Sequence, residues 1–184
     1  MTRWLDDAQM RAWLGYRRMR LLLDLQVSRD LAEGSGLSDA DYDVLSNLSE
    51  TEGHQLRLSE LSAHMRWSKS RLSHHLTRMQ QRGLVTREEC PSDGRGAVIL
   101  LTDDGWRAIR TAAPAHVESV RRHFIDRLTD EQIRVLGDIA ESVIGHLDEV
   151  PVRTPSGEAG KQPAEIAAGK QPAEKAARRQ PAKE

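Results

Sequence analysis

Three features of this 184-residue sequence predict a mainly α-helical chain with one small β-hairpin. Apolar residues recur at steps of three and four through most of the chain as far as Val150, and cap residues stand ahead of the periodic stretches. The pattern breaks once, where the turn residues Pro91–Gly96 separate the short runs Leu84–Arg87 and Ala97–Leu101.

The first helix is expected from Asp6 to Leu31, where Trp13, Tyr16, Met19, Leu23 and Val27 follow at helical spacing. Leu21, Leu22 and Leu25 add apolar groups on other sides, so this helix must be buried on several faces, as between a domain and a second subunit. Gly34 and Gly36 are expected to break it. Ser38 then caps a second helix with Asp39 and Asp41 at its positive end, Leu37 and Tyr42 as a staple, and Leu45 and Leu48 on the buried side.

A third, short helix is expected from an N-cap at Ser59 to about Met65, and Arg66–Ser68 forms a tight connection to a fourth, Lys69–Arg82, stopped by Gly83. Leu72, Leu76 and Met79 define the inner face of that fourth helix. At roughly 100° per residue its opposite face is Ser70, His74, Thr77, Arg78 and Gln81, flanked by Arg71 and His75. Leu84–Arg87 and Ala97–Leu101 form the hairpin, with Arg95 at its tip and Asp93 able to orient it; read alone, Arg95 is also compatible with plain surface.

Thr102, followed by Asp103 and Asp104, caps a long fifth helix whose apolar face runs through Trp106, Ile109, Ala113, Val117, Val120, Phe124 and Leu128, with a bend expected at Pro114. Thr129 and Gln132 form a capping box for the last helix, in which Ile133, Leu136, Ala140, Val143 and Leu147 step by three and four. Three helices with more apolar face than a small domain can cover imply a homodimer built from the chain ends; a monomeric bundle is the competing solution.

From Pro151 onward Pro, Gly, Ala, Lys, Gln and Glu dominate, and Lys161–Glu165 recurs as Lys170–Glu174. A segment with so little apolar surface is expected to be disordered, with a basic arm as the alternative, since it holds seven Lys/Arg against four Glu. The expected divisions are thus 1–36, a linking and dimerising helix; 37–102, the central domain; 103–150, the C-terminal dimerisation helices; and 151–184, a low-complexity tail.

The net charge of −1 conceals a local excess. Between Leu61 and Arg87 no acidic residue occurs, while Arg66, Lys69, Arg71, Arg78, Arg82 and Arg87 are all cationic. The outer face of the fourth helix offers hydroxyls, an imidazole, a guanidinium and an amide, which are groups that bond base edges and phosphates in a major groove. Lys69 and Ser70 lie where the helix dipole and free N–H groups favour a phosphate. An ordinary solvated face is the bland alternative, but such faces mix both signs of charge.

Other classes are excluded or weakened. No Gly-rich phosphate loop, nucleophile elbow or paired-carboxylate constellation points to an enzyme, and no cofactor is expected. The seven His show no compact metal spacing, and Cys90 has no second cysteine to pair with. No apolar run reaches the ~20 residues a membrane span needs, and residues 1–7 lack the apolar core of a secretion signal, so the expected location is the cytoplasm.

Over roughly Asp6–Val150 the chain resembles the multiple-antibiotic-resistance regulator (MarR) family. The most specific stretches are Leu58–Leu61, Ser68–Leu72, Arg82–Val85, Asp93–Gly96 and Leu101–Gly105. The resemblance implies a winged helix-turn-helix domain with a helical dimerisation region, and a homodimer reading a near-palindromic operator in double-stranded DNA. Recognition helices would enter major grooves and wings minor grooves. It makes Ser68, Lys69, Ser70, Arg71, Ser73, His74, His75, Thr77, Arg78, Asp93 and Arg95 the expected DNA contacts. The chain departs from the family pattern in its Arg66–Trp67 turn and in His74, which bear on base preference. The resemblance further implies a repressor released by a small aromatic or anionic effector, for which Trp13, Tyr16 and Arg17 are the candidates; core packing of Trp13 and Tyr16 is the alternative. A DNA-packaging protein and a winged-helix module for protein contacts are the competing functions.

Overall fold

The computed structural model describes residues 1–89 and 96–149. Cys90, Asp93, Arg95 and the repeats after Pro151 lie outside the described residues. The chain divides into two units, Met1–Glu141 and Ser142–Glu184, and the described part of the second is the end of the last helix.

Helix α1 spans Asp7–Ser35. Asp6 caps it by accepting the Gln9 N–H at 2.8 Å while the Gln9 side chain accepts the Asp6 N–H at 3.2 Å, a reciprocal box that starts the helix. It runs through Gly34 and stops at Gly36, whose φ of 68° turns the chain left-handed, so one glycine rather than two ends it. Of all its residues only Leu31 is buried.

Helix α2 (Asp39–Ser49) has the expected Ser38 cap, with Ser38 Oγ accepting the Asp41 N–H and Asp41 accepting the Ser38 N–H. Val44, Leu45 and Leu48 are completely buried. A 3-10 turn at Glu52–His54 leads into strand β1 (Gln55–Arg57), which the sequence reading does not contain. Helix α3 spans Leu58–His64, and its first turn is closed by Glu60, which accepts the Arg57 N–H at 3.0 Å. Ser59 therefore lies inside the helix instead of capping it.

Helix α4 spans Lys69–Gln81, with Arg82 at its C-cap, and the chain turns away at Gly83, φ 71°. Strands β2 (Val85–Glu89) and β3 (Ala97–Leu101) pair antiparallel, with Val85 opposite Leu101 and Glu89 opposite Ala97. Leu56 of β1 lies opposite Ile99, so the described strands form a three-stranded sheet in the order β1-β3-β2 rather than a bare hairpin. Ile99, in the central strand, is fully buried against the helices.

Helix α5 spans Asp103–His123 and continues through Pro114. Thr102 caps it and also ties it to the sheet: its Oγ1 donates to the Gly83 carbonyl at 2.6 Å and accepts the Gly105 N–H at 2.9 Å. The helix ends at Phe124, where ψ is −67° at φ −132°, and Ile125–Arg127 forms a separate 3-10 turn, so the expected stripe does not continue to Leu128 on one helix. The Thr129–Gln132 box then starts α6 (Asp130–Glu149).

The core joins α2, α3, α4 and the sheet, and α5 contributes Ile109 and Ala112. Helix α1 packs on α5 near its carboxyl end, where Asp30 accepts from Ser119 at 2.7 Å and lies 3.0 Å from His123 Nε2.

Candidate nucleic-acid interface

The connection between α3 and α4 is Met65–Ser68. Arg66 takes a left-handed φ of 50°, a conformation that disfavours most side chains and lets the chain reverse sharply. Ser62 then pins the turn, its hydroxyl donating to the Trp67 carbonyl at 2.7 Å while its own carbonyl accepts the Trp67 N–H at 3.1 Å. Ser68 caps α4 by accepting the Arg71 N–H at 3.2 Å, which occupies its hydroxyl with backbone.

From that start the helix divides as its periodicity requires. Leu72, Leu76 and Met79 are buried, whereas Lys69, Ser70, Arg71, His74, Thr77 and Arg78 are exposed. Arg71 lies over the Trp67 ring, with 3.9 Å from its Cζ to the ring centroid, so an aromatic plate carries this guanidinium. Thr77 turns its hydroxyl back to the Ser73 carbonyl at 3.0 Å. Ser73 is half-buried and accepts from Arg87 of β2 at 3.3 Å.

His75 is a correction to the expected contact set. It is only 6 % exposed, standing three residues from Leu72 and four from Met79 and so on the inner face. Its Nδ1 accepts from Arg78 Nη2 at 3.1 Å. Its Nε2 lies 3.2 Å from Asp41 Oδ1, within ion-pair reach but off the line of a hydrogen bond. Burial pushes this imidazole below its ordinary pKa; Arg78 and Arg82 push the same way against the opposing pull of Asp41, so it is neutral at pH 7.

Arg82 also serves the fold. Its Nη1 meets Asp41 Oδ2 at 2.6 Å and its Nη2 the Gly36 carbonyl at 3.0 Å. Burial alone would raise the Asp41 carboxyl, but the Ser38 N–H and the Arg82 guanidinium outweigh it and hold the group below the usual carboxylate value. Asp41 is the residue that sequence reasoning missed. Its place in the first turn of α2 signals a dipole partner and says nothing of α4.

Trp13, Tyr16 and Arg17 come together on α1: the two rings lie 6.0 Å apart and the Arg17 guanidinium 6.0 Å from the Trp13 ring. Trp13 and Tyr16 are half-exposed at 49 % and 50 %, so they are not core in this protomer. A cavity of about 290 Å³ along α1 is lined by Met19, Leu22, Leu23, Gln26, His123 and Phe124, and not by these three residues. Among the described residues no His, Cys, Asp or Glu cluster could hold a metal, and no helix is long and apolar enough to cross a membrane.

This arrangement has close counterparts in known proteins. A sequence profile of the MarR family matches residues 35–96. The chain is 44 % identical to AbsC, a MarR family transcriptional regulator from Streptomyces coelicolor, over 80 % of this chain and 99 % of that one, with a TM-score of 0.76. It is 36 % identical to Sco3205, a MarR family regulator from the same organism solved in complex with DNA, over 85 % of this chain and 97 % of that one, with a TM-score of 0.77. It is also 30 % identical over 118 residues to the transcriptional regulator HosA of Escherichia coli O111:H-, which covers 64 % of this chain and 84 % of HosA.

Proposed function

This chain belongs to the MarR family and is a DNA-binding transcriptional regulator, and from that premise we propose that it acts as a homodimeric repressor on a near-palindromic operator. Helix α4 enters the major groove. Ser70, His74 and Arg78 face the base edges, while Lys69, Arg71 and the capped amino end of the helix meet phosphates. Asp93 and Arg95 complete the contact at the minor groove.

The observation that carries this reading is the one-signed outer face of α4, exposed along Lys69, Ser70, His74, Thr77 and Arg78, with no acidic residue from Leu61 to Arg87. The large apolar side chains left exposed on α1, among them Leu14, Leu21, Leu22 and Leu25, support the homodimer, because more than half of each is in contact with solvent in the single protomer. On α6, considered by itself, Ile139, Val143 and Ile144 are equally exposed. The aromatic and cationic cluster of Trp13, Tyr16 and Arg17 supports a small aromatic anion as the effector that releases DNA.

Selection of binding sites from a random-sequence duplex pool tests the assignment. A regulator of this kind enriches an inverted repeat, and its log affinity falls linearly with log salt, with a slope of about 0.9 per phosphate neutralised. Equal recovery of all sequences would instead indicate DNA packaging, and no salt-dependent binding would indicate a protein-contact module.

A further inference from the structure

Between the DNA-facing surface of α4 and the core lies a chain of charged and polar groups that a bare helix face does not need. Arg78 is exposed on the outer face, yet its guanidinium reaches round the helix to His75 Nδ1, and His75 in turn stands against Asp41 of α2. Asp41 is held by Arg82 and by the Ser38 N–H, so its carboxylate stays in place. The imidazole is the one member that can change between acceptor and donor at the atom facing Arg78.

We propose that His75 is a positioning residue for DNA binding: its unprotonated Nδ1 holds the Arg78 guanidinium in a fixed place at the edge of the outer face, and protonation at Nδ1 expels it. The inference rests on the reading of α4 as the recognition helix. The neutral ring carries its proton on Nε2, toward Asp41, and leaves Nδ1 free to accept from Arg78 Nη2. One bond to His75 leaves the other N–H groups of Arg78 available to DNA. Holding the side chain in advance reduces the rotamer freedom lost on binding. Protonation places an N–H against an N–H and a positive charge against a positive charge, while the Nε2–H stays beside Asp41. The charged groups facing the ring are Asp41 from α2 and Arg78 and Arg82 from α4; Trp67, from the preceding turn, meets it edge-on with an uncharged ring. Because burial and the two arginines depress the imidazole, the switch operates below the ordinary histidine range and not at neutral pH.

The test uses the full chain and a fluorescent duplex that the wild-type protein selects from a random pool. At about pH 7.5, Arg78→Ala is expected to weaken binding about tenfold, and this factor should shrink toward one at an acid pH where nitrogen NMR shows both His75 ring nitrogens protonated. In His75→Asn, whose amide oxygen can stand in for Nδ1 without titrating, the Arg78→Ala factor should persist at both pH values. A factor that is the same at both pH values in the wild type, or that shrinks equally in His75→Asn, overturns the proposal. A DNA-free readout separates this from failure of the recognition reading: nitrogen NMR of the wild-type chain should show His75 Nδ1 unprotonated and shifted by Arg78→Ala. If that signature is present and no duplex is ever selected, the recognition reading fails; if duplexes are selected and the signature is absent, the positioning role fails.

Discussion

Arg82, just past the last turn of α4, donates from Nη1 to the buried carboxylate of Asp41 at 2.6 Å, joining two residues 41 positions apart. With its second contact to the Gly36 carbonyl it ties α4 to the start of α2 and the end of α1. A cation inside the basic stretch is thereby committed to holding the helix in place.

Removal of this tie gives the first prediction. Asp41 titrates below its unfolded value, near 3.8, so the stabilisation is complete at neutral pH and is lost as pH falls through the lower folded value. Arg82→Ala is expected to cost about 1 kcal/mol at pH 7, less than a fully buried pair because the Arg82 side chain is 44 % exposed. The urea-unfolding difference between wild type and variant should narrow in acid to what the Gly36 carbonyl contact leaves; a constant difference across pH would contradict the assignment.

Gly105 lies where α5 begins against the sheet. A Cβ there would overlap the Leu84 carbonyl oxygen and stand 2.8 Å from Leu101 Cδ1. Gly105→Ala should therefore destabilise by about 1–3 kcal/mol. Gly34, exposed in α1 with open space where a Cβ would stand, provides the contrast, and Gly34→Ala should stabilise by about 0.5–1 kcal/mol. Thermal unfolding of the two variants would show shifts of opposite sign.

The two faces of α4 should separate stability from recognition. Met79 is fully buried, and Met79→Ala is expected to cost about 2–4 kcal/mol. His74 is exposed, so His74→Ala should leave unfolding within about 0.5 kcal/mol of wild type while changing the bases recovered in site selection. An unchanged selected sequence would remove His74 from the base-reading set.

The proposed homodimer is tested at Leu22, which is 55 % exposed on α1 beside Leu21 and Leu25. Leu22→Glu places a charge in the apolar face that a second copy would cover. Sedimentation should then report a monomer, with operator affinity reduced about a hundredfold or more because two half-sites are no longer read together. A variant that still sediments as a dimer would relocate the interface.

Much of the fold is legible because it is written in neighbours. The Ser38–Asp41, Thr129–Gln132 and Thr102–Gly105 contacts join residues three apart, and the inner stripe Leu72, Leu76, Met79 follows from helical rise alone. His75 carried the same signal, three residues after Leu72 and four before Met79, but its ring chemistry suggests a contact residue more readily than a buried one. Strand β1 carried almost none: three residues can be a strand only because Leu56 finds Ile99 across the sheet.

From local rules alone, then, come the helices, their caps and the cationic face of α4, since each depends on residues within a turn or two. Pairings across long stretches of chain belong to the tertiary structure: β1 on β3, Arg82 on Asp41, and the burial that makes His75 neutral. Those depend on which surfaces meet and how much water they exclude, and no spacing in the sequence encodes either quantity.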